Sequence, residues 1–124
     1  MNENFNELPW HDSVLESIFI DRSNPGENDS IRIEVEWPDG KHSSIIFHDC
    51  YAIAADMNFG VIASETILTA ECLTETEDTM SMRKKWLQVD IRLDNLKCFK
   101  INTNSTNSVI KIISLGFKIY DNYP

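Results

Sequence analysis

Residues 30–50 read SIRIEVEWPDGKHSSIIFHDC, and their first half leaves little choice of backbone. Ile31, Ile33, Val35 and Trp37 alternate strictly with Arg32, Glu34 and Glu36, so an extended chain puts every apolar side chain on one face and every charge on the other. PDGK follows, with Pro38 suited to a first turn position and Gly40 free to take positive φ, which predicts a hairpin. The returning stretch places Ser43, Ile45, Phe47 and Asp49 on one side and Ser44, Ile46, His48 and Cys50 on the other. Both sides carry apolar residues, so an inner strand covered on both faces is expected.

The same period recurs on either side of this hairpin. VLESIFID at 14–21 reads as a strand, and SNPGENDS after it as a turn-rich loop. KWLQVDIRL predicts another strand, with Leu87, Val89, Ile91 and Leu93 facing one way and Gln88, Asp90 and Arg92 the other. Asp94-Asn95 then suits a tight turn into LKCFKIN. SVIKIISLGFKIY closes the chain as a long strand in which Gly116 predicts a bulge or bend. ETILTAECL, over 65–73, is open between strand and helix, and its β-branched content favours a strand. TETEDTMSM reads as a mobile acidic loop.

One short helix is expected near residues 50–59, with Asp49 as its N-cap, Tyr51, Ala55 and Phe59 at four-residue spacing, and Gly60 as its stop. The expected fold is therefore mainly β (α+β): an antiparallel sheet of about six or seven strands, curled or sandwich-like, with that helix closing one end. At 124 residues, and without an internal repeat or linker, the whole chain reads as a single domain.

Charge bears on partners. Twenty acidic against eleven basic side chains give a formal −9, a field that repels phosphate backbones and disfavours nucleic-acid binding. The same field speeds encounter with a basic protein. Glu71, Glu75, Glu77 and Asp78 form the densest acidic group, and Trp86, outward by alternation with Gln88, is the aromatic expected at the surface; together they are the partner-binding candidates. No stretch approaches the roughly 20 apolar residues of a membrane span, and MNENFNELPW lacks the basic head and apolar run of a secretory signal, so a cytoplasmic location is expected. Cys50, Cys72 and Cys98 are an odd number at wide spacing and read as reduced, mostly buried thiols.

Two His-Asp pairs raise the question of chemistry: His11-Asp12 in PWHDSVL and His48-Asp49 in FHDC. Neighbours on a strand point to opposite faces, so each pair offers one ligand to any given site. A centre would need His11 and His48 to converge, joined by His42 or Cys50. With no HExxH or CxxC spacing, no G-x-S-x-G elbow and four scattered glycines, the sequence predicts no catalytic residue, no metal and no other cofactor. The alternative is a small metal- or thiol-dependent enzyme using His11, His48 and Cys50; a third reading is an accessory structural module.

LPWHDSVLESIFID together with IEVEWPDGKHSSIIFHDCYAIAADMNFG resembles a group of small bacterial β-rich proteins that open with a W-H-D-S/A-x-L strand start and carry a later l-x-F-x-[DN]-C/V segment. Some of those proteins are immunity proteins of polymorphic toxin systems. The resemblance covers roughly the first half of the chain. It implies a non-enzymatic protein that binds and occludes a toxin domain, and the −9 charge would suit a basic one. No catalytic residues come with it.

Overall fold

The structure is a computed structural model that describes residues 4–122. Six strands form one antiparallel sheet: β1 (Val14–Asp21), β2 (Ser30–Glu36), β3 (His42–Asp56), β4 (Ile67–Leu73), β5 (Lys97–Thr103) and β6 (Val109–Asn122), in the order β1-β2-β3-β6-β5-β4. Two meanders, β1-β2-β3 and β4-β5-β6, are thus joined where the two longest strands pair. One α-helix, α1 (Glu77–Leu87), and a 3-10 turn (Phe5–Glu7) complete the described elements.

Sheet curvature brings the two outermost strands together at one end, through a bridge between Val14 and Thr66, without closing a barrel. PWHDS is the strap across that junction. The Asp12 and Ile67 N–H groups donate to the Ile67 and Ser13 carbonyls at 3.0 and 2.8 Å, and the Ser13 hydroxyl donates to the Trp10 carbonyl at 2.6 Å. Trp10 donates its indole N–H to the Phe5 carbonyl at 2.7 Å, and the Cys72 N–H donates to the Asn6 side chain at 2.6 Å. Residues 5–12 therefore occupy part of the free edge of β4, which an exposed edge strand requires if it is not to pair with another chain.

The inner face carries the main core. Ile33, Val35, Ile45, Phe47, Phe99, Ile101, Ile110 and Ile112 are fully buried, and Phe5 and Trp10 fill the mouth above them. The Ile31–Val35 alternation is as the sequence predicts, as is the PDGK turn, where Gly40 has φ +87. On the outer face α1 covers a smaller core of Leu93, Leu96, Cys98 and Ile113, with Met82, Trp86 and Tyr51 at its margin.

Four local expectations are corrected. The helix over 50–59 is instead the second half of β3, whose residues Ala52–Asp56 pair with Ile113–Val109. A full ladder to β6 outweighs a four-residue apolar spacing that a strand also permits. Asp49 is consequently no N-cap; it takes φ +51, and the alternation of side chains breaks there, so that Cys50 joins Phe47 on the inner core rather than lying beside His48; a register shift follows between Cys50 and Ala52.

The acidic segment and the expected strand after it hold α1. Thr76 caps it reciprocally with Thr79: each hydroxyl accepts the other's backbone N–H, at 3.0 Å in both directions. Glu77 and Asp78 at the first turn and Lys84 and Lys85 at the last complement the helix dipole. Leu87, Val89 and Ile91 are then exposed, and only Leu93 of the expected apolar face is buried. Gly116 adds no residue to the ladder, but it stands where β6 changes face: Ile110 and Ile112 before it and Phe117 and Ile119 after it all lie on the inner core, the bend that the sequence allows there. Gly116 pairs directly with His48, and a Cβ there would lie 2.9 Å from the His48 Nε2, so the glycine makes room for an imidazole on the neighbouring strand.

Candidate interaction surface

Beyond Asp56 the chain leaves the sheet, and the connection to β4 is braced at both feet. The Asn58 N–H donates to the Ser108 hydroxyl at 3.0 Å, and its side-chain amide donates to the Thr106 carbonyl at 2.9 Å. At the other foot the Ser105 hydroxyl donates to the Ser64 carbonyl at 2.5 Å and the Asn104 N–H to the Thr66 carbonyl at 2.8 Å. Glu65 accepts from both the N–H and the hydroxyl of Thr106. Met57 packs against the inner core. Gly60, at φ +96, lets the chain reverse between these anchors.

The tip so held is apolar and open. Phe59 is 82% exposed, Val61 52% and Ile62 103%. Four-residue spacing predicts Phe59 on the apolar face of a helix; with β3 continuing to Asp56, it lies past the last rung of the ladder. Three large apolar side chains within four residues are thus left in water on a loop whose feet are fixed by hydrogen bonds. NFGVI carried that signal: an apolar pair after a glycine has no strand or helix period to bury it.

The acidic candidates fare differently. Glu75 lies 3.3 Å from Arg83 and Asp78 3.2 Å from Lys111, while Glu71 stands opposite Lys100 in the β4–β5 register. Glu77 is exposed at the start of α1. Trp86 turns inward, its ring 5.2 Å from Tyr51 in an edge-on contact. Of the five, Glu71 alone lies on the outermost strand β4, with the exposed Leu68, next to the loop.

His11, His48 and Cys50 each engage a separate neighbour. His11 Nδ1 lies 3.3 Å from the Leu68 carbonyl and its ring 3.6 Å from Asp12. His48 Nδ1 lies 3.2 Å from Asp49, on the outer face over Gly116. Cys50 donates its thiol to the Phe47 carbonyl at 3.2 Å, and burial pushes that thiol up to about 12, far from a thiolate at neutral pH. Cys72 and Cys98 are raised too, again chiefly by burial. All three cysteines are free thiols. Both His-Asp pairs share one backbone feature instead: Asp12 at φ +67 and Asp49 at φ +51 are left-handed, a conformation aspartate tolerates better than most residues.

No helix among the described residues is long and apolar enough to cross a membrane. No protein-family model and no curated protein matches the sequence.

Proposed function

We propose that this chain is a non-enzymatic binding protein that seats the apolar tip Phe59–Ile62 in a pocket of a basic partner domain, in the manner of an immunity protein that occludes a toxin. The braced, exposed tip carries the reading. Burying one large apolar side chain is worth about 2 kcal/mol, so three at the centre of a contact supply the anchors of a specific interface. The rest of the contact must come from beyond the tip, because a standard interface takes about 800 Å² from each partner. The adjoining edge strand, with Leu68 and Glu71 exposed, extends the surface on one side.

Charge complements this anchor. A chain at −9 attracts a basic domain over distances beyond contact, so encounter should slow as salt rises, whereas the tip governs how long the complex lasts. The partner to try is a toxin domain encoded beside this chain. Co-expression should rescue growth and the two proteins should co-purify; Ile62→Asp and Phe59→Ser should abolish rescue while leaving the thermal unfolding midpoint in place. Rescue that survives both substitutions would refute the tip as the anchor, and failure of the native chain to bind or neutralise that domain would refute the toxin reading.

A further inference from the structure

At the opposite end of β3 from this loop, three side chains with metal-ligand chemistry converge on the outer face of the sheet. They come from three adjacent strands: Glu16 on β1, Glu36 on β2 and His42 on β3. Glu36 and His42 are direct cross-strand partners. Glu16 is the extra residue of a bulge between Leu15 and Ser17, and that bulge brings its carboxylate to the same place as the other two. His42 Nδ1 lies 2.9 Å from Glu16 Oε1, and one ligand atom from each residue lies within 4.8 Å of the other two.

We propose that Glu16, Glu36 and His42 bind a first-row transition dication of the zinc class. Zinc takes imidazole nitrogen and carboxylate oxygen at about 2.0–2.2 Å, which sets neighbouring donors about 3.4 Å apart around a tetrahedral ion. The His42–Glu16 separation of 2.9 Å lies below that value and the 4.8 Å limit on the set above it, a difference of the size that glutamate side-chain rotation can take up. Water completes the coordination. The imidazole decides between metals: calcium wants six to eight oxygens and magnesium an all-oxygen octahedron rich in water, whereas a nitrogen with two carboxylates suits zinc, nickel or copper. Glu34, the nearest further carboxylate in sequence, is already held by Arg32 at 3.0 Å and the Ser44 hydroxyl at 2.6 Å. Among the described residues, the Glu36 carboxylate takes neither a hydrogen bond nor an ion pair. A bound ion would supply its partner, relieve the repulsion between the two carboxylates and tie the edge strand β1 to its neighbours.

Chelator-treated protein titrated calorimetrically with zinc chloride tests this. One ion should bind with a Kd of about 10 µM or tighter and raise the thermal midpoint. His42→Ala and Glu36→Gln should each weaken binding by at least about tenfold, since even residues outside a metal's direct ligands cost that much when lost. His11→Ala and His48→Ala should leave it unchanged. Glu16→Gln, isosteric and on the surface, repeats the test if His42→Ala fails to fold by circular dichroism. Zinc binding only at millimolar concentration, or binding that survives His42→Ala and Glu36→Gln, would overturn the site.

Discussion

Phe5 sits in a 3-10 turn outside the sheet, yet only 2% of it is exposed. Its ring centroid lies 4.7 Å from Trp10, 4.9 Å from Phe99, 5.3 Å from Phe117 and 6.1 Å from Phe47, so it is the common neighbour of four rings drawn from the strap, β3, β5 and β6. Phe5→Ala removes that hub. A buried Phe→Ala change costs about 3–5 kcal/mol, and partial collapse of the terminal segment into the gap puts the expected loss at the low end, about 3 kcal/mol. Against a whole-domain stability of about 5–15 kcal/mol this is a large fraction. With a urea slope of about 1.5 kcal/mol/M, the midpoint should fall by about 2 M. Urea unfolding followed by tryptophan fluorescence and by circular dichroism measures it. Phe5→Leu, which refills most of the volume, should cost about 1.5 kcal/mol or less, and Ile62→Ala at the open tip should stay within about 0.5 kcal/mol of the native chain. A Phe5→Ala protein as stable as the Ile62→Ala one would refute the reasoning, because it would mean that the core is complete without the Phe5 ring.

Two other substitutions probe different parts of the fold. Cys50 has its folded-state pKa raised to about 12 by burial, while an unfolded thiol titrates near about 8.5. Its contribution to stability is thus intact below the unfolded value and is lost as pH rises toward the folded one, so the urea midpoint should drop more steeply above about pH 8.5 in the native chain than in Cys50→Ala; parallel slopes would count against it. Thr79, fully buried, joins the reciprocal cap of α1 and donates its hydroxyl to a nearby carbonyl at 3.0 Å. Thr79→Ala should cost about 1–2 kcal/mol and selectively speed amide exchange over Glu77–Leu87, and uniform exchange rates there would exclude a capping role.

What could be read from the residues was whatever the two-residue period decides locally. The β2–β3 hairpin, β5 and β6 follow from alternation plus turn chemistry, and the mainly antiparallel β architecture follows from them. The failures lie where a local pattern and a distant partner disagree. Tyr51, Ala55 and Phe59 fit one helical face, but β6 offers the same stretch a ladder, which no inspection of residues 50–59 could reveal. Leu87, Val89, Ile91 and Leu93 fit a strand, but α1 is set upstream by a threonine at the position where a glutamate or glutamine would have announced a capping box. Its inward stripe, the buried Thr79 with the half-buried Met82 and Trp86, is too thin to read as amphipathic. The Glu16–Glu36–His42 convergence was invisible for a third reason: it depends on a bulge that shifts one strand by one residue.

These contrasts separate what folding uses from what it leaves exposed. The WHDS strap spends its residues on closure: Ser13 is fully buried, Trp10 nearly so, and Asp12 supplies a left-handed turn and a ladder hydrogen bond. The loop at 57–66 spends its polar residues on bracing and leaves its apolar ones in water. A tip that the inner core needed would be at least partly covered by it, and Met57, at the loop's base, already makes the contact with that core. The hydrogen bonds at the two feet have the opposite logic, since a flexible apolar loop would lose conformational entropy on docking and a braced one loses little. Folding therefore does not depend on Phe59 and Ile62. Their exposure is a standing cost in solubility that a chain at −9 can carry and that a bound partner would remove.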